Sequence, residues 1–300
     1  MPRLKTEAAR RSLLRRVRRQ RLNYITILPS LITILNGVCG FTAIIYAGKD
    51  PNESVGPYSC FGIAGYLIIL AMVADMLDGR LARMSQNTSS FGGQLDSLCD
   101  IVSFGVAPAF LMLKVLEHEL VLVGLGDEQL LHRFIWLAAA AYMSCAAIRL
   151  ARFNVENEED ESAHMSFIGL PSPAAAGVIV SLVIFHQQTL PEVADKNAAI
   201  YALCESAIMY ALPVAAIGVA MLMVSRFRYP HLLNQYLKGK KPFGQLIRVL
   251  LLLVFACWQF PAALMFVFCV FAASSVVKKA YYRIIKSQSL EAVAKLQGPE

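Results

Sequence analysis

Two pairs of aspartates, Asp75 with Asp78 and Asp96 with Asp100, lie within an otherwise strongly apolar part of the chain. An ionised carboxylate in low-dielectric surroundings costs several kcal/mol unless a counter-charge accompanies it. Oxygen ligands are typical of sites for hard divalent cations such as Mg²⁺ or Mn²⁺. Four carboxylates exceed the needs of one ion, and two neighbouring ions are suited to clamp phosphate oxygens during displacement at phosphorus.

Helical spacing places both pairs where they can meet. On the first helix, one face carries Asp75, Asp78, Gly79, Ala82 and Arg83. On the second, Asp96 and Asp100 are four residues apart, and Gly92 lies one turn earlier on the same face. Because the connection is short, the helices must be antiparallel neighbours, and both pairs converge on one site. The small residues leave room for an extended ligand, and an arginine guanidinium matches a phosphate.

Structural ion pairs are the alternative explanation for these aspartates. Asp78 could pair with Arg80, and Asp75 with another neighbouring arginine, as often happens at helix ends. Only two arginines are close in sequence, however, and they cannot neutralise four carboxylates in apolar surroundings. The spacing therefore favours a metal site.

Composition places the chain among integral membrane proteins. Of its 300 residues 57% are hydrophobic and 16% charged, and the mean hydropathy is +0.53. Eight segments are long enough to cross a bilayer as helices, at about 27–47, 58–78, 95–116, 133–151, 170–190, 207–225, 246–258 and 260–277. The seventh is the least distinct, because Gln259 and Pro261 interrupt one apolar stretch that could also be a single kinked helix.

Basic residues indicate the orientation of the spans. With eight spans and a cytoplasmic N-terminus, 24 of the 28 Lys and Arg residues lie inside, and Lys49, Lys114, Arg133 and Lys196 lie outside. This bias predicts a multi-pass protein of the inner cell membrane with both termini in the cytoplasm. It also places the aspartates at the cytoplasmic face. The basic N-terminal segment is typical of an anchor facing anionic lipid, and we predict no nucleic-acid partner.

The segment from Asp75 to Asp100 resembles the signature of the CDP-alcohol phosphotransferases, Asp-x2-Asp-Gly-x2-Ala-Arg-x8-Gly-x3-Asp-x3-Asp, at every fixed position. The resemblance implies a core of six membrane-spanning helices that holds the donor pyrophosphate on two Mg²⁺ or Mn²⁺ ions. It also implies transfer of a phosphatidyl group from CDP-diacylglycerol to an alcohol, with loss of CMP.

The resemblance assigns roles to individual residues. All four aspartates would bind metal, and Asp100 would also be the general base for the acceptor hydroxyl. The nucleotide would contact Gly79, Ala82, Arg83, Ser89, Gly92, Ser30 and Thr33. For the serines and the threonine, a hydrogen bond to the helix backbone is an equally weighted alternative.

Three further segments, within 96–109, 149–155 and 167–177, are similar to the serine-accepting bacterial and archaeal members of this family. The resemblance covers about residues 25–225 and implies L-serine as the acceptor and a homodimer. Arg149 and Arg152, three residues apart, could bind the serine carboxylate, or they could anchor the phosphate of a lipid.

These observations predict an all-α integral membrane protein with five regions. They are a basic N-terminal segment (1–24), a catalytic core (25–225), a basic loop (226–245), two accessory helices (246–277) and a cytoplasmic tail (278–300). Two other functions stay open: the same transfer to glycerol 3-phosphate, inositol phosphate or choline, and a cation-coupled transporter. The transporter is disfavoured, because the acidic residues cluster at one face and no repeated pair of broken helices is visible.

Overall fold

The structure is a computed structural model that describes residues 30–50, 53–85, 90–122, 124, 128–159, 167–194, 198–225, 227–229 and 259–296. In these residues the elements are α1 (Ser30–Ala47), β1 (Ser54–Val55), β2 (Tyr58–Ser59), α2 (Cys60–Ser85), α3 (Ser90–Asp100), α4 (Ala107–Leu122), α5 (Gln129–Glu159), β3 (Phe167–Ile168), α6 (Ser172–Ala194), α7 (Ala198–Val224), β4 (Arg228–Tyr229) and α8 (Phe260–Leu296).

The predicted all-α membrane fold is confirmed. The described residues contain seven helices long and apolar enough to cross a bilayer, with spans at Ser30–Ala47, Cys60–Leu81, Phe91–Leu122, Gln129–Val155, Ser172–Pro191, Ala199–Val224 and Phe260–Lys279. They correspond to seven of the eight predicted spans, and the remaining one, 246–258, lies outside the described residues. Several helices are longer than predicted, because hydropathy reports the apolar stretch and not the polar turns that continue it.

Helices α3 and α4 form one continuous rod that is interrupted by a π-helical segment at Ile101–Val106. A π turn contains an extra residue, and such turns occur often at functional sites. Here the π segment directly follows Asp100. The Tyr142 hydroxyl of α5 donates a hydrogen bond of 2.8 Å to the Phe104 carbonyl, so a neighbouring helix supports the altered backbone.

Helix α6 occupies the centre of the bundle, where it packs against α2, α4, α7 and α8, while α5 packs mainly against α7. Its buried face is rich in small and β-branched residues, including Ala175, Ala176, Val180 and Val183. Small residues allow helix backbones to approach closely in a membrane, where van der Waals packing contributes much of the association. The central helix therefore gives the bundle a tightly packed interior.

Two short strands pair with each other, one just before α6 and the other just after α7. Strand β3 pairs antiparallel with β4, Phe167 opposite Tyr229. Between β3 and α6, Gly169 has φ +85° and donates its N–H to the Phe227 carbonyl at 2.8 Å. A side chain at this glycine would also collide with the Met223 carbonyl. Glycine is thus required here, and the turn fixes where α6 begins.

The last described helix crosses the bundle from one end to the other. Near its start, the Phe260 ring stacks on Tyr66 of α2, with 6.4 Å between ring centroids. At the end of its membrane-spanning part, the Lys279 ammonium lies 4.3 Å from the ring centroid of Phe227, just beyond α7. Residues 229 and 260 therefore lie at opposite ends of the bundle, which is the arrangement that a span between them requires. The predicted division into a core and accessory helices stays a prediction.

Candidate active site

Three of the four predicted aspartates, one from α2 and two from α3, converge in space. Asp75 of α2 and Asp96 and Asp100 of α3 each offer one carboxylate oxygen, and these atoms lie within 4.8 Å of one another. Asp100 is buried, and the other two are half-buried. The structure thus brings one aspartate of the first pair to both aspartates of the second, which is part of the convergence that the sequence predicts.

The fourth aspartate is held by the first helix. Asp78 is 6% exposed, and its Oδ2 accepts a hydrogen bond from the Thr33 hydroxyl of α1. Its charge acts on both Asp75 and Asp96, so it lies near these two carboxylates. The Thr33 hydroxyl therefore contacts a carboxylate, a contact that neither predicted alternative includes.

Asn36 is a site residue that the sequence analysis missed. It is completely buried on α1, and its Nδ2 donates a hydrogen bond of 2.9 Å to Oδ1 of Asp100. The Asn36 carbonyl in turn accepts a bond of 2.9 Å from the Ser103 hydroxyl in the π segment. The available signal was an asparagine in the middle of an apolar span, because buried polar groups there need a partner.

A close contact between α1 and the π segment makes this arrangement possible. A Cβ atom placed on Gly40 would lie 2.6 Å from the Cα atom of Ser103, closer than real atoms pack. Only glycine leaves space for the two backbones to touch. The contact brings Asn36 against Asp100.

The carboxylates lack a cationic partner within the described part of the chain. There, no Lys or Arg nitrogen lies within 4.0 Å of any of the four, and Arg80, the partner in the ion-pair alternative, is exposed. Oδ1 of Asp96 is buried without a hydrogen-bond partner. Converging carboxylates with an orphaned buried oxygen are the donor set that a divalent cation requires, so these acidic groups could hold a metal ion.

A buried arginine stands next to the aspartates. Arg149 of α5 is 9% exposed, and its Nη1 donates a 2.8 Å hydrogen bond to the Ser172 hydroxyl at the start of α6. Its charge acts on Asp75 and Asp100. Its Nε is buried without a hydrogen-bond partner among the described residues. The guanidinium therefore faces the site with donor capacity still available.

The remaining predicted site residues are described by the structure to different extents. Ser30 is half-buried as the first residue of α1, and Gly79 and Gly92 are half-buried on α2 and α3. Arg152 is half-buried one turn beyond Arg149. For Ala82 and Arg83 the structure describes only a helical backbone, and Ser89 lies outside the described residues.

One further hydrogen bond joins the helices that carry the aspartates and the arginine. The Ser97 hydroxyl of α3 donates to Oδ1 of Asn154 of α5 at 3.0 Å. Ser97 directly follows Asp96, and Asn154 lies beyond Arg149 on the same helix. This bond keeps the end of α5 beside the carboxylates.

Comparison with known proteins agrees with this geometry. Residues 26–222 match the CDP-alcohol phosphatidyltransferase family. The chain is similar to proteins named CDP-diacylglycerol–serine O-phosphatidyltransferase from three organisms. Identity is 31% with that of Bacillus subtilis (strain 168), over 70% of this chain and 92% of the relative. It is 30% with that of Methanocaldococcus jannaschii, over 70% and 77%. It is 29% with that of Helicobacter pylori (strain 26695), over 70% and 74%.

Proposed function

The chain belongs to the CDP-alcohol phosphatidyltransferase family, and we propose that it transfers a phosphatidyl group from CDP-diacylglycerol to the hydroxyl of L-serine, forming phosphatidylserine and CMP. The serine oxygen forms a new bond to the phosphorus that carries the lipid. The bond from that phosphorus to the CMP oxygen breaks, and the serine hydroxyl proton passes to the enzyme. One observation carries the proposal: three carboxylates converge within 4.8 Å beside a buried arginine.

The carboxylates suit two divalent cations. We assign Asp75, Asp78, Asp96 and Asp100 as the residues that would hold Mg²⁺ or Mn²⁺, because they offer oxygen donors, and no lysine or arginine of the described residues forms an ion pair with them within 4.0 Å. When bound, such ions neutralise the pyrophosphate and stabilise negative charge that develops at phosphorus. The helices of the protein hold these carboxylate oxygens together before CDP-diacylglycerol binds.

The nucleotide end of the donor is assigned to the faces of α1, α2 and α3 around the carboxylates. Gly79 and Gly92 carry no side chain there, so a flat base or ribose can lie against the backbone. The assignment of Ala82, Arg83, Ser89 and Ser30 to nucleotide binding follows the family signature. Thr33 fits a supporting role, since its hydroxyl positions Asp78.

Asp100 is the proposed general base. Its Oδ1 accepts the amide N–H of Asn36, which orients the carboxylate and leaves the second oxygen for the acceptor hydroxyl. The hydroxyl of serine is a weak nucleophile at neutral pH, so removal of its proton by a positioned carboxylate contributes to the rate. The buried position of Asp100 also limits competition from water.

Arg149 is the proposed partner of the serine carboxylate. Its guanidinium is fixed by Ser172 through one nitrogen, while Nε has no other hydrogen-bond partner in the described structure. A planar guanidinium binds a carboxylate through two parallel N–H donors. Its position near Asp100 would bring the serine hydroxyl to the base. Arg152 lies one turn further along α5. It is assigned a peripheral contact with the serine carboxylate or with the lipid phosphate.

A direct assay tests the proposal. The full chain, purified in detergent, is given CDP-diacylglycerol, Mg²⁺ or Mn²⁺, and separately serine, glycerol 3-phosphate, inositol phosphate or choline. Mass spectrometry then follows lipid product and CMP. Among the four alcohols, we expect only serine to give product, with phosphatidylserine and CMP formed in equal amounts. A metal chelator should abolish the formation of both. Product with another alcohol but none with serine would overturn the acceptor assignment, and uptake into vesicles without CMP release would favour a transporter.

A further inference from the structure

A second group of metal-binding side chains lies at the end of the bundle away from the aspartates. Glu119 of α4, His186 of α6 and Glu205 of α7 each offer one donor atom, and these atoms lie within 4.8 Å of one another. Glu119 follows Asp100 by nineteen residues along one helical rod, which at 1.5 Å per residue corresponds to about 28 Å. The group is therefore separate from the proposed active site.

Glu119 is a buried carboxylate whose side chain has no hydrogen bond to another described residue. It is 6% exposed, and its nearest cationic or imidazole nitrogen in the described residues is Nε2 of His186, 3.9 Å from Oε1. That separation is too long for a hydrogen bond. Burying a carboxylate without a partner is costly. When ionised, the side chain therefore requires a partner that the described protein groups do not provide.

A small cavity adjoins this carboxylate. Its volume is about 10 Å³, and Glu119 and His186 are its polar lining residues. Its remaining wall is apolar and consists of Val115, Leu116, Val183, Ile208, Met209 and Leu212. A cavity of this size is close to the minimum for one water molecule or one small ion. Of the donor group, Glu119 and His186 line the cavity directly, and Glu205 does not.

We propose that Glu119, His186 and Glu205 bind one divalent transition-metal ion, for which Zn²⁺ is the probe. One imidazole nitrogen and two carboxylate oxygens are a ligand set that suits Zn²⁺ and leaves a fourth position for water. In a tetrahedral site the ligand atoms are about 3.4 Å apart. The three donors therefore need to approach by no more than about 1.4 Å. Glu119 and His186, now 3.9 Å apart, must approach by about 0.5 Å, and half-buried Glu205, whose Oε1 accepts a 3.2 Å hydrogen bond from the Tyr201 hydroxyl, must rotate about its side-chain bonds.

The ring nitrogen of His186 that would not bind metal already has a neighbour. Its Nδ1 lies 3.1 Å from Nε2 of Gln187, whose Oε1 accepts a 2.8 Å hydrogen bond from the Ser59 hydroxyl. Turning the amide over makes its oxygen the acceptor for Nδ1–H and its nitrogen the donor to Ser59 Oγ. A metal-binding histidine usually donates its second N–H in this way, which fixes the ring.

The ion would connect three helices that are distant in sequence. Because a ligand that binds only the folded state stabilises that state, Zn²⁺ would raise the thermal unfolding midpoint of the protein. This effect is independent of phosphatidyl transfer. The site can therefore be tested without an activity assay and without assuming the proposed function.

The experiment measures metal content and thermal stability of the full chain in detergent. Protein stripped with chelator is incubated with Zn²⁺, desalted and analysed by inductively coupled plasma mass spectrometry. The Asp96→Asn variant weakens the proposed active site, so zinc that is lost when Glu119 or His186 is changed in this background reports the second site. We expect Asp96→Asn combined with His186→Ala or Glu119→Gln to retain about one Zn²⁺ per chain less than Asp96→Asn alone.

His118→Ala in the same background is the matched control, since His118 is the neighbouring histidine and packs near the Phe61 ring outside the donor group. It should retain the ion and the Zn²⁺-dependent rise in the unfolding midpoint. If His186→Ala does not elute as a folded protein, Glu119→Gln provides the comparison. The proposal would be overturned if Asp96→Asn retained no zinc. It would also be overturned if adding Glu119→Gln to Asp96→Asn left the zinc content unchanged.

Discussion

Asp100 has one carboxylate oxygen engaged by Asn36 and the other directed to no described donor. If it is the base, Asp100→Asn should lower kcat for phosphatidyl transfer by about 10²- to 10⁴-fold, the usual contribution of proton transfer. Binding of CDP to the variant should persist, because the other three aspartates remain. Steady-state kinetics and calorimetric titration with CDP measure both effects. Full turnover in Asp100→Asn would remove the base assignment.

Asn36 acts on the reaction through Asp100 and is therefore a positioning residue. Its loss leaves the carboxylate unrestrained, and a small misplacement of a reacting group can lower the rate by up to about 10²-fold. We expect Asn36→Ala to lower kcat with little change in KM for CDP-diacylglycerol. Thr42→Ala is the matched control on α1, since Thr42 is half-buried and its hydroxyl donates to the Val38 carbonyl of its own helix. Equal kcat values for the two variants would contradict the role.

Arg149 is expected to determine affinity for serine. In Arg149→Lys the paired N–H donors are lost, and a charged hydrogen bond contributes about 1.5–3 kcal/mol, so KM for serine should rise about 10- to 100-fold. KM for CDP-diacylglycerol should change little. Arg133→Lys, an exposed change at the other end of α5, serves as the control. A larger effect on the lipid substrate than on serine would instead assign Arg149 to the lipid phosphate.

At the scale of elements, the turn before α6 positions Ser172 and, through it, Arg149. Gly169→Ala places a side chain at φ +85° against the Met223 carbonyl. Such backbone strain costs about 1–3 kcal/mol, so the unfolding midpoint in detergent should fall. KM for serine should rise as well, because the start of α6 is displaced. Gly218→Ala on α7, where an added Cβ meets open space, should leave both quantities unchanged. Unaltered stability in Gly169→Ala would show that the turn does not constrain the site.

Sequence patterns predict contacts within one helix better than contacts between helices. The face shared by Asp75 and Asp78 follows from helical periodicity, as does that of Asp96 and Asp100. The bond from Asn36 to Asp100 joins residues 64 apart and depends on the close approach of α1 at Gly40, which no local pattern encodes. The π segment after Asp100 likewise depends on packing, since its carbonyl at Phe104 is bonded by a distant tyrosine.

For the whole molecule, hydropathy predicts spans well because a bilayer requires about 20 apolar helical residues in each. Seven predicted spans correspond to helices, but their packing order was not predictable, since every span is apolar on several sides. The placement of α6 at the centre depends on small side chains such as Ala175 and Ala176. The positions of the two proposed metal sites at opposite ends of the bundle are likewise visible only in the folded structure, where α4 carries Glu119 at the end opposite the aspartates.

The orientation of the molecule is the remaining prediction from charge. From Pro57, in the β1–β2 turn, the chain passes through the six described spanning helices after α1 before it reaches Lys278. An additional span at 246–258 would place these two residues on opposite sides of the membrane, and its absence would place them on the same side. Positive-inside bias predicts the first arrangement, with Lys278 in the cytoplasm.

Cysteine labelling distinguishes the two arrangements. Both positions are exposed, so Pro57→Cys and Lys278→Cys should react readily with a maleimide that does not cross membranes, whereas the native cysteines in the described residues are buried or half-buried. In intact spheroplasts we expect labelling of Pro57→Cys above the wild-type background and none of Lys278→Cys. Inverted vesicles should give the reverse pattern. Labelling of both variants from one side would mean that the segment 246–258 does not cross, and labelling of Pro57→Cys only in inverted vesicles would reverse the orientation and move the aspartates to the outer face.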